Sequence, residues 1–120
     1  MSIKDDLDMI SFGIIADAGD ARNFAYEALE AAKHYDFGKC DSLLSRSHAA
    51  LDKGRRAQTD LLFDEMNGEH HDVNVLLVHS EDHLMNTALA IELVEQMIDL
   101  LHGREALEKR VNELERRMEE

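Results

Sequence analysis

The chain is 120 residues long, carries 26 acidic residues against 13 basic ones for a formal net charge of −13, and contains no Pro or Trp. Such a charge repels phosphate backbones and anionic lipid, and no basic patch offsets it, so a direct nucleic-acid or membrane-surface role is excluded. One domain is expected, near the size at which association with further copies adds appreciable stability, and abundant Ala, Leu, Glu, Asp and Met with few aromatics make it all-α.

The N-terminal stretch Lys4-Asp5-Asp6-Leu7-Asp8 has no apolar signal-like region, and no apolar run reaches the roughly 18 residues a membrane span requires, so a soluble, untargeted chain is expected. Apolar residues from Leu7 through Ile10, Ile14, Ala18, Ala21, Ala25, Ala28 and Ala32 recur at three- and four-residue steps, which predicts a first helix from about Asp5 to Lys33. Gly13 and Gly19 interrupt it. Each costs about 1 kcal/mol relative to Ala in a helix interior, so the expectation is close helix contact or a kink at both. The pattern breaks at His34-Tyr35-Asp36-Phe37, where a tight antiparallel turn is expected with Asp36 as N-cap.

Phe37, Cys40, Leu43, Leu44, Ser47, Leu51, Leu61 and Met66 carry a second helix, weak only at Gly54 and ending at Asn67-Gly68. Cys40 is the only cysteine, so it forms no intrachain disulfide; it reads as a small buried helix residue, and a reducing cytoplasm fits. The polar run Asn67 to Asp72 has the composition of a turn, with Gly68 suited to a left-handed C-terminal cap and Asp72 to the N-cap of a third helix starting at Val73.

The helical period resumes through Leu76, Leu77, Leu84, Ile91, Val94, Ile98 and Leu101. Beyond Gly103, Leu107, Val111, Leu114 and Met118 form a short heptad seam that is interrupted backwards by Arg104 at an a position. The expected architecture is an antiparallel up-down-up three-helix bundle over residues 1–103 with a helical tail over 104–120, either a coiled coil extending an oligomer or a frayed solvated helix.

Within the third helix, His79, Asp82 and His83 stand at i, i+3 and i+4 and share a face, whereas Ser80 and Glu81 point elsewhere. Three readings compete. Two imidazoles at this spacing can reach one metal ion with Asp82 adding an oxygen, although a His-Glu-x-x-His motif is absent. One imidazole can act as a covalent nucleophile toward phosphorus, giving a phosphoimidazole of high transfer potential suited to a relay. Or the group merely hydrogen-bonds across a helix interface.

Further residues narrow this choice. The run Ile14-Ile15-Ala16-Asp17-Ala18-Gly19-Asp20-Ala21-Arg22, with Glu27-Ala28-Leu29, Asp36-Phe37, Asp41-Ser42-Leu43, Gln58-Thr59 and His79-x-x-Asp82-His83-Leu84-Met85, resembles the enzyme IIA component of the lactose and cellobiose/chitobiose class of the bacterial sugar phosphotransferase system. The likeness extends to about Gly103. It implies a cytoplasmic homotrimer in which His79 accepts a phosphoryl group from the histidine phosphocarrier protein and passes it to a cysteine of a cognate enzyme IIB, for uptake of a β-linked disaccharide. It further implies that Asp82 meets its counterparts at the trimer axis around a divalent ion, Mg²⁺ by the hardness of an all-oxygen site, with a structural role. Gln58, whose family counterpart lies close to the phosphorylated histidine, is the expected hydrogen-bond donor to phosphate, and His83 is expected either to support the phosphate site by orienting it or to pack between subunits. Relatives carry Gln in place of Glu81 and His in place of Arg55, differences that bear on the sugar and the partner; Arg55 is expected to offset the charge of Glu81. The alternative function is a helical regulatory or interaction module that no longer relays phosphate.

Overall fold

A computed structural model describes residues 3–120, with side chains from Asp6 onward, as three helices: α1 (Ile3–Lys33), α2 (Phe37–Met66) and α3 (Val75–Glu119). They run antiparallel in up-down-up order, as the periodicity predicts, in a rod of 77 × 23 × 20 Å. The central element is α1: it packs along both neighbours, which touch each other far less. Its buried face is an alternating three-four seam of Ala18, Ala21, Ala25, Ala28 and Ala32, all without solvent exposure. Side chains this small let two helices approach one backbone closely. Ile14, Leu51, Leu84, Ile91, Val94 and Ile98 then fill the space around the seam, each large one contributing about 1.5–3 kcal/mol of burial.

Hydroxyls reinforce this approach. The buried Ser47 of α2 donates to the Ala21 carbonyl at 2.6 Å, and Thr87 of α3 donates to that of Ala18 at 3.5 Å. Cys40 is fully buried, as its setting predicts.

The first turn ends α1 with Tyr35 in the left-handed region (φ 61°), its N–H donating to Ala32 and that of Asp36 to Ala31. This paired closure is the Schellman arrangement, here without Gly at the left-handed position. Asp36 then caps α2 by accepting from the Lys39 N–H at 3.2 Å. The same closure ends α2: Gly68 has φ 85°, Gly68 N–H donates to Glu65 and Glu69 N–H to Asp64.

Two expectations need correction. The N-cap of α3 is Asn74, not Asp72, and the helix starts at Val75 rather than Val73: the Asn74 side-chain Oδ1 accepts from Leu77 N–H at 2.8 Å, and its Nδ2 reaches Asp8 of α1 at 3.4 Å. This tertiary anchor selects Asn74 between two competent capping residues. A Cβ placed at Gly13 or Gly19 would meet nothing within 4 Å, so neither marks a close contact within the chain; Gly54 does, lying against Leu84 and Asp17. Finally, α3 crosses Gly103 unbroken. Its continuation docks on the first turn, where the His102 ring stacks on Phe37 at 3.6 Å.

Candidate active site

Position on α3 dictates the site. Ser80, Leu84, Thr87 and Ile91 bury one face of the helix against α1 and α2, and His79, Asp82, His83 and Asn86 are carried on the flank beside it that borders α1. There they line a cleft of about 290 Å³ between α3 and α1, with Arg22 and Tyr26 forming the far wall. His79 and Asp82 are exposed and His83 is half-buried.

The two imidazoles touch. His83 Nε2 lies 3.2 Å from His79 Nε2, and the rings meet edge to face with centroids 4.5 Å apart. One Nε2 must carry the proton and the other the lone pair, so the contact couples the tautomers of the pair. In the arrangement that leaves His79 Nε2 basic, its proton resides on Nδ1 and His83 is the donor.

Arg22 was quoted above only for its part in the resemblance, yet it is the cation of this cleft. Its guanidinium lies 5.3 Å from the Tyr26 ring centroid, a cation–π contact, and it forms no ion pair among the described residues. It remains available to an anion. It directly follows Ala21 of the seam, and its facing the histidines across the cleft is a tertiary fact that periodicity on α3 does not reveal.

Gln58 is placed elsewhere. Its amide donates to the Glu81 carboxylate and reaches the Met85 sulfur at 3.7 Å. Glu81 is turned about 200° around the helix from His79, so this pair belongs to a second, mainly apolar cleft of about 300 Å³ with Leu61, Leu62, Val73 and Leu77. Within one chain, Gln58 and His79 lie on different sides of α3. The expected neutralisation of Glu81 by Arg55 is also not seen: Gln58 binds Glu81, while Arg55 borders an exposed groove with Asp52, Arg56, Thr59 and Asp60. Next to the histidines along α3, Leu84 is core at 1% exposure, whereas Met85 is exposed.

Asp82 offers an exposed carboxylate with no cationic partner, and among the described residues no three His, Cys, Asp or Glu side chains converge to hold a metal ion. Among the described residues, His79, Asp82 and His83 do not by themselves make a three-ligand cluster. A single hard oxygen donor fits an ion only if other copies supply the remaining ligands.

The sequence profile of the PTS system lactose/cellobiose-specific IIA subunit matches residues 9–102. The lactose-specific EIIA component of Lacticaseibacillus casei is 36% identical over 115 residues, covering 96% of each chain, and that of Staphylococcus epidermidis is 37% identical over 97 residues, covering 81% of this chain and 93% of its own. Among solved structures, the cellobiose-specific enzyme IIA of Bacillus anthracis superposes with a TM-score of 0.82 at 36% identity, covering 88% of this chain and 94% of its own. The chitobiose IIA in its complex with HPr, from the Escherichia coli phosphotransferase system, gives 0.73 at 33% identity over 82% of this chain and 96% of its own.

Proposed function

The chain belongs to the lactose/cellobiose-specific IIA family of the sugar phosphotransferase system, and on that premise we propose that His79 is the residue on which it carries phosphate. Family membership makes it a phosphoryl-carrying phosphotransferase component. The finer reading is a cytoplasmic carrier that takes the group from the histidine phosphocarrier protein and delivers it to a cysteine of a cognate enzyme IIB, serving uptake of a β-linked disaccharide. No helix of the described residues is long and apolar enough to cross a membrane, so the membrane step belongs to another component.

The observation that carries this reading is the exposed His79 ring, coupled at Nε2 to His83 and facing Arg22 across an open cleft. The His79 Nε2 lone pair attacks phosphorus in line; the N–P bond of the donor phosphohistidine breaks and its electron pair returns to the donor ring. In the second step a thiolate attacks, a S–P bond forms, and the pair of the His79 N–P bond returns to Nε2. Each transfer exchanges one nucleophile for another with no net hydrolysis, so alignment and charge stabilisation suffice. Once Nε2 is phosphorylated, His83 turns its N–H to a phosphoryl oxygen, and Arg22 supplies the positive charge that the strongly acidic surroundings lack. The net charge of −13 favours a donor that presents a basic face.

We extend the proposal to assembly. A homotrimer would bring three Asp82 carboxylates together, and such a cluster repels itself unless a cation or protons intervene. Mg²⁺ is the hard ion that all-oxygen ligation suits, and its contribution there is to neutralise charge between subunits.

Incubation with phosphoenolpyruvate, enzyme I and the histidine phosphocarrier tests the assignment. Acid-labile, base-stable label should appear on His79 and vanish in His79→Ala; label that survives this substitution refutes it. Phosphorylation without onward transfer to any enzyme IIB cysteine favours the regulatory alternative.

A further inference from the structure

The exposed face of α3 follows a single heptad register from Leu93 to the end of the chain. Counting back from the tail seam, Leu93, Leu100, Leu107 and Leu114 fall at d, and Met97, Arg104, Val111 and Met118 at a. The core-facing residues Ile91 and Ile98 fall at b, and Val94 at e. The helix is therefore two-faced here, with one stripe committed to its own bundle and a second left uncovered over about 38 Å. Along that second stripe Leu93 is 51% exposed, Leu100 74%, Leu107 60% and Leu114 54%. Every residue after Glu113 is exposed, so the last turns of α3 stand clear of α1 and α2.

Charge decides what covers the tail. Most of its ions pair along their own helix: Arg104 with Glu108, Lys109 with Glu105, Arg116 with Glu113 and Glu120, and Arg117 with Glu113. Arg110 at g and Glu115 at e form no ion pair among the described residues. In a parallel, in-register coil a g residue meets the e residue five positions later on the adjacent helix, which is the pair Arg110–Glu115. An antiparallel partner would instead set Arg110 and Arg117 against arginines, and Glu108 and Glu115 against glutamates. Arg110 and Glu115 are thus a pair that a second copy in parallel register would complete, while Glu119, also without an ion pair among the described residues, falls at an outward b position.

We infer that residues 104–120 associate with the same segment of neighbouring copies as a parallel, in-register coiled coil continuous with the exposed α3 stripe that begins at Leu93, below the histidine pair. The number of strands rests on the trimer proposed above; the direction and register rest on the tail itself. Arg104, the polar residue at a, leans its guanidinium onto Glu108 and admits the seam rather than ending it.

Cysteine cross-linking of the full chain tests this, with Cys40→Ser removing the native thiol. Leu114→Cys should give a covalent pair with a short bismaleimide, and Asn112→Cys, at an outward b position, should not. Leu93→Cys, on the same stripe within the bundle, reports subunit association separately. Linking at 93 without linking at 114 overturns the tail coil while leaving the trimer intact, and linking at neither removes both. Equal linking at 112 and 114 also overturns it. Arg110→Glu should weaken association about two- to fivefold per lost pair, and adding Glu115→Arg should restore it; no recovery in the charge-swapped double variant refutes the parallel register.

Discussion

Substituting Gly54 by Ala isolates the contact that seats α2 on the histidine helix. A Cβ at this position would stand 3.0 Å from Leu84 Cδ1 and 3.5 Å from Asp17 Cβ. Carbon pairs are best at about 3.5–4.0 Å, so Leu84 must retreat by about 0.5 Å or more. It is 1% exposed in the core cluster that also holds Leu51 and Ala88, and overpacking of this kind costs about 1–3 kcal/mol. Against this, Ala gains about 1 kcal/mol over Gly in a helix interior. Gly13→Ala is the reference, because its new methyl would meet nothing within 4 Å and so collects the propensity gain alone. The propensity term cancels between the two variants, leaving a gap of about 1–3 kcal/mol that is steric. At this chain length that corresponds to roughly 4–12 °C in Tm, measured at one protein concentration because association shifts the midpoint. Leu84 follows His83 directly, so the displacement should also slow phosphoryl acceptance at His79. If Gly54→Ala stabilises the protein as much as Gly13→Ala, the close approach of α2 to α3 at this point is wrong.

Four further outcomes are expected. Arg22→Gln should lower the rate of His79 phosphorylation about tenfold or more with the fold intact by circular dichroism, since a charged hydrogen bond to phosphate is worth about 1.5–3 kcal/mol; an unchanged rate removes Arg22 from the site. Burial, with the Asp41 and Asp36 carboxylates adding to it, pushes the Cys40 thiol up, so iodoacetamide should label it only as the protein unfolds, and rapid labelling of the native form would contradict its position in the core. The hydrogen bond from Arg116, aided by Arg117, holds the Glu113 carboxyl below the usual range. Its contribution to the tail helix is therefore present above the ordinary carboxylate range and lost as pH falls through the lowered value, so Glu113 should titrate below other exposed glutamates by NMR and return toward them in Arg116→Ala. Asp82→Leu should relieve repulsion between subunits and leave a trimer that chelator does not weaken; a monomer by light scattering would argue against Asp82 at the axis.

What the sequence made legible was whatever repeats along one helix. The Ala seam of α1, the shared face of His79, Asp82 and His83, and the heptad tail all follow from helical geometry, which fixes angular position without knowledge of neighbours. What it hid depends on which helix lies opposite. Asn74 outcompetes Asp72 as a cap because its amide also reaches Asp8, a residue 66 positions away. Gly54, rather than Gly13 or Gly19, is the packing glycine because Leu84 of α3 lies across from it. Gln58 is drawn to Glu81 and away from the histidines for the same reason, and Arg22 enters the site only because α1 lies alongside α3. Gln58 also defines the reach of a single chain: with its amide held by Glu81 on the far side of α3, a phosphate on His79 of the same chain lies beyond it. A direct role for Gln58 therefore requires another subunit to bring its own α2 against this cleft. Mixing Gln58→Ala with His79→Ala subunits separates the two arrangements. If Gln58 serves a neighbour, the mixed assembly regains phosphorylation at the His79 that faces an intact Gln58, whereas a residue serving only its own chain gives no such recovery.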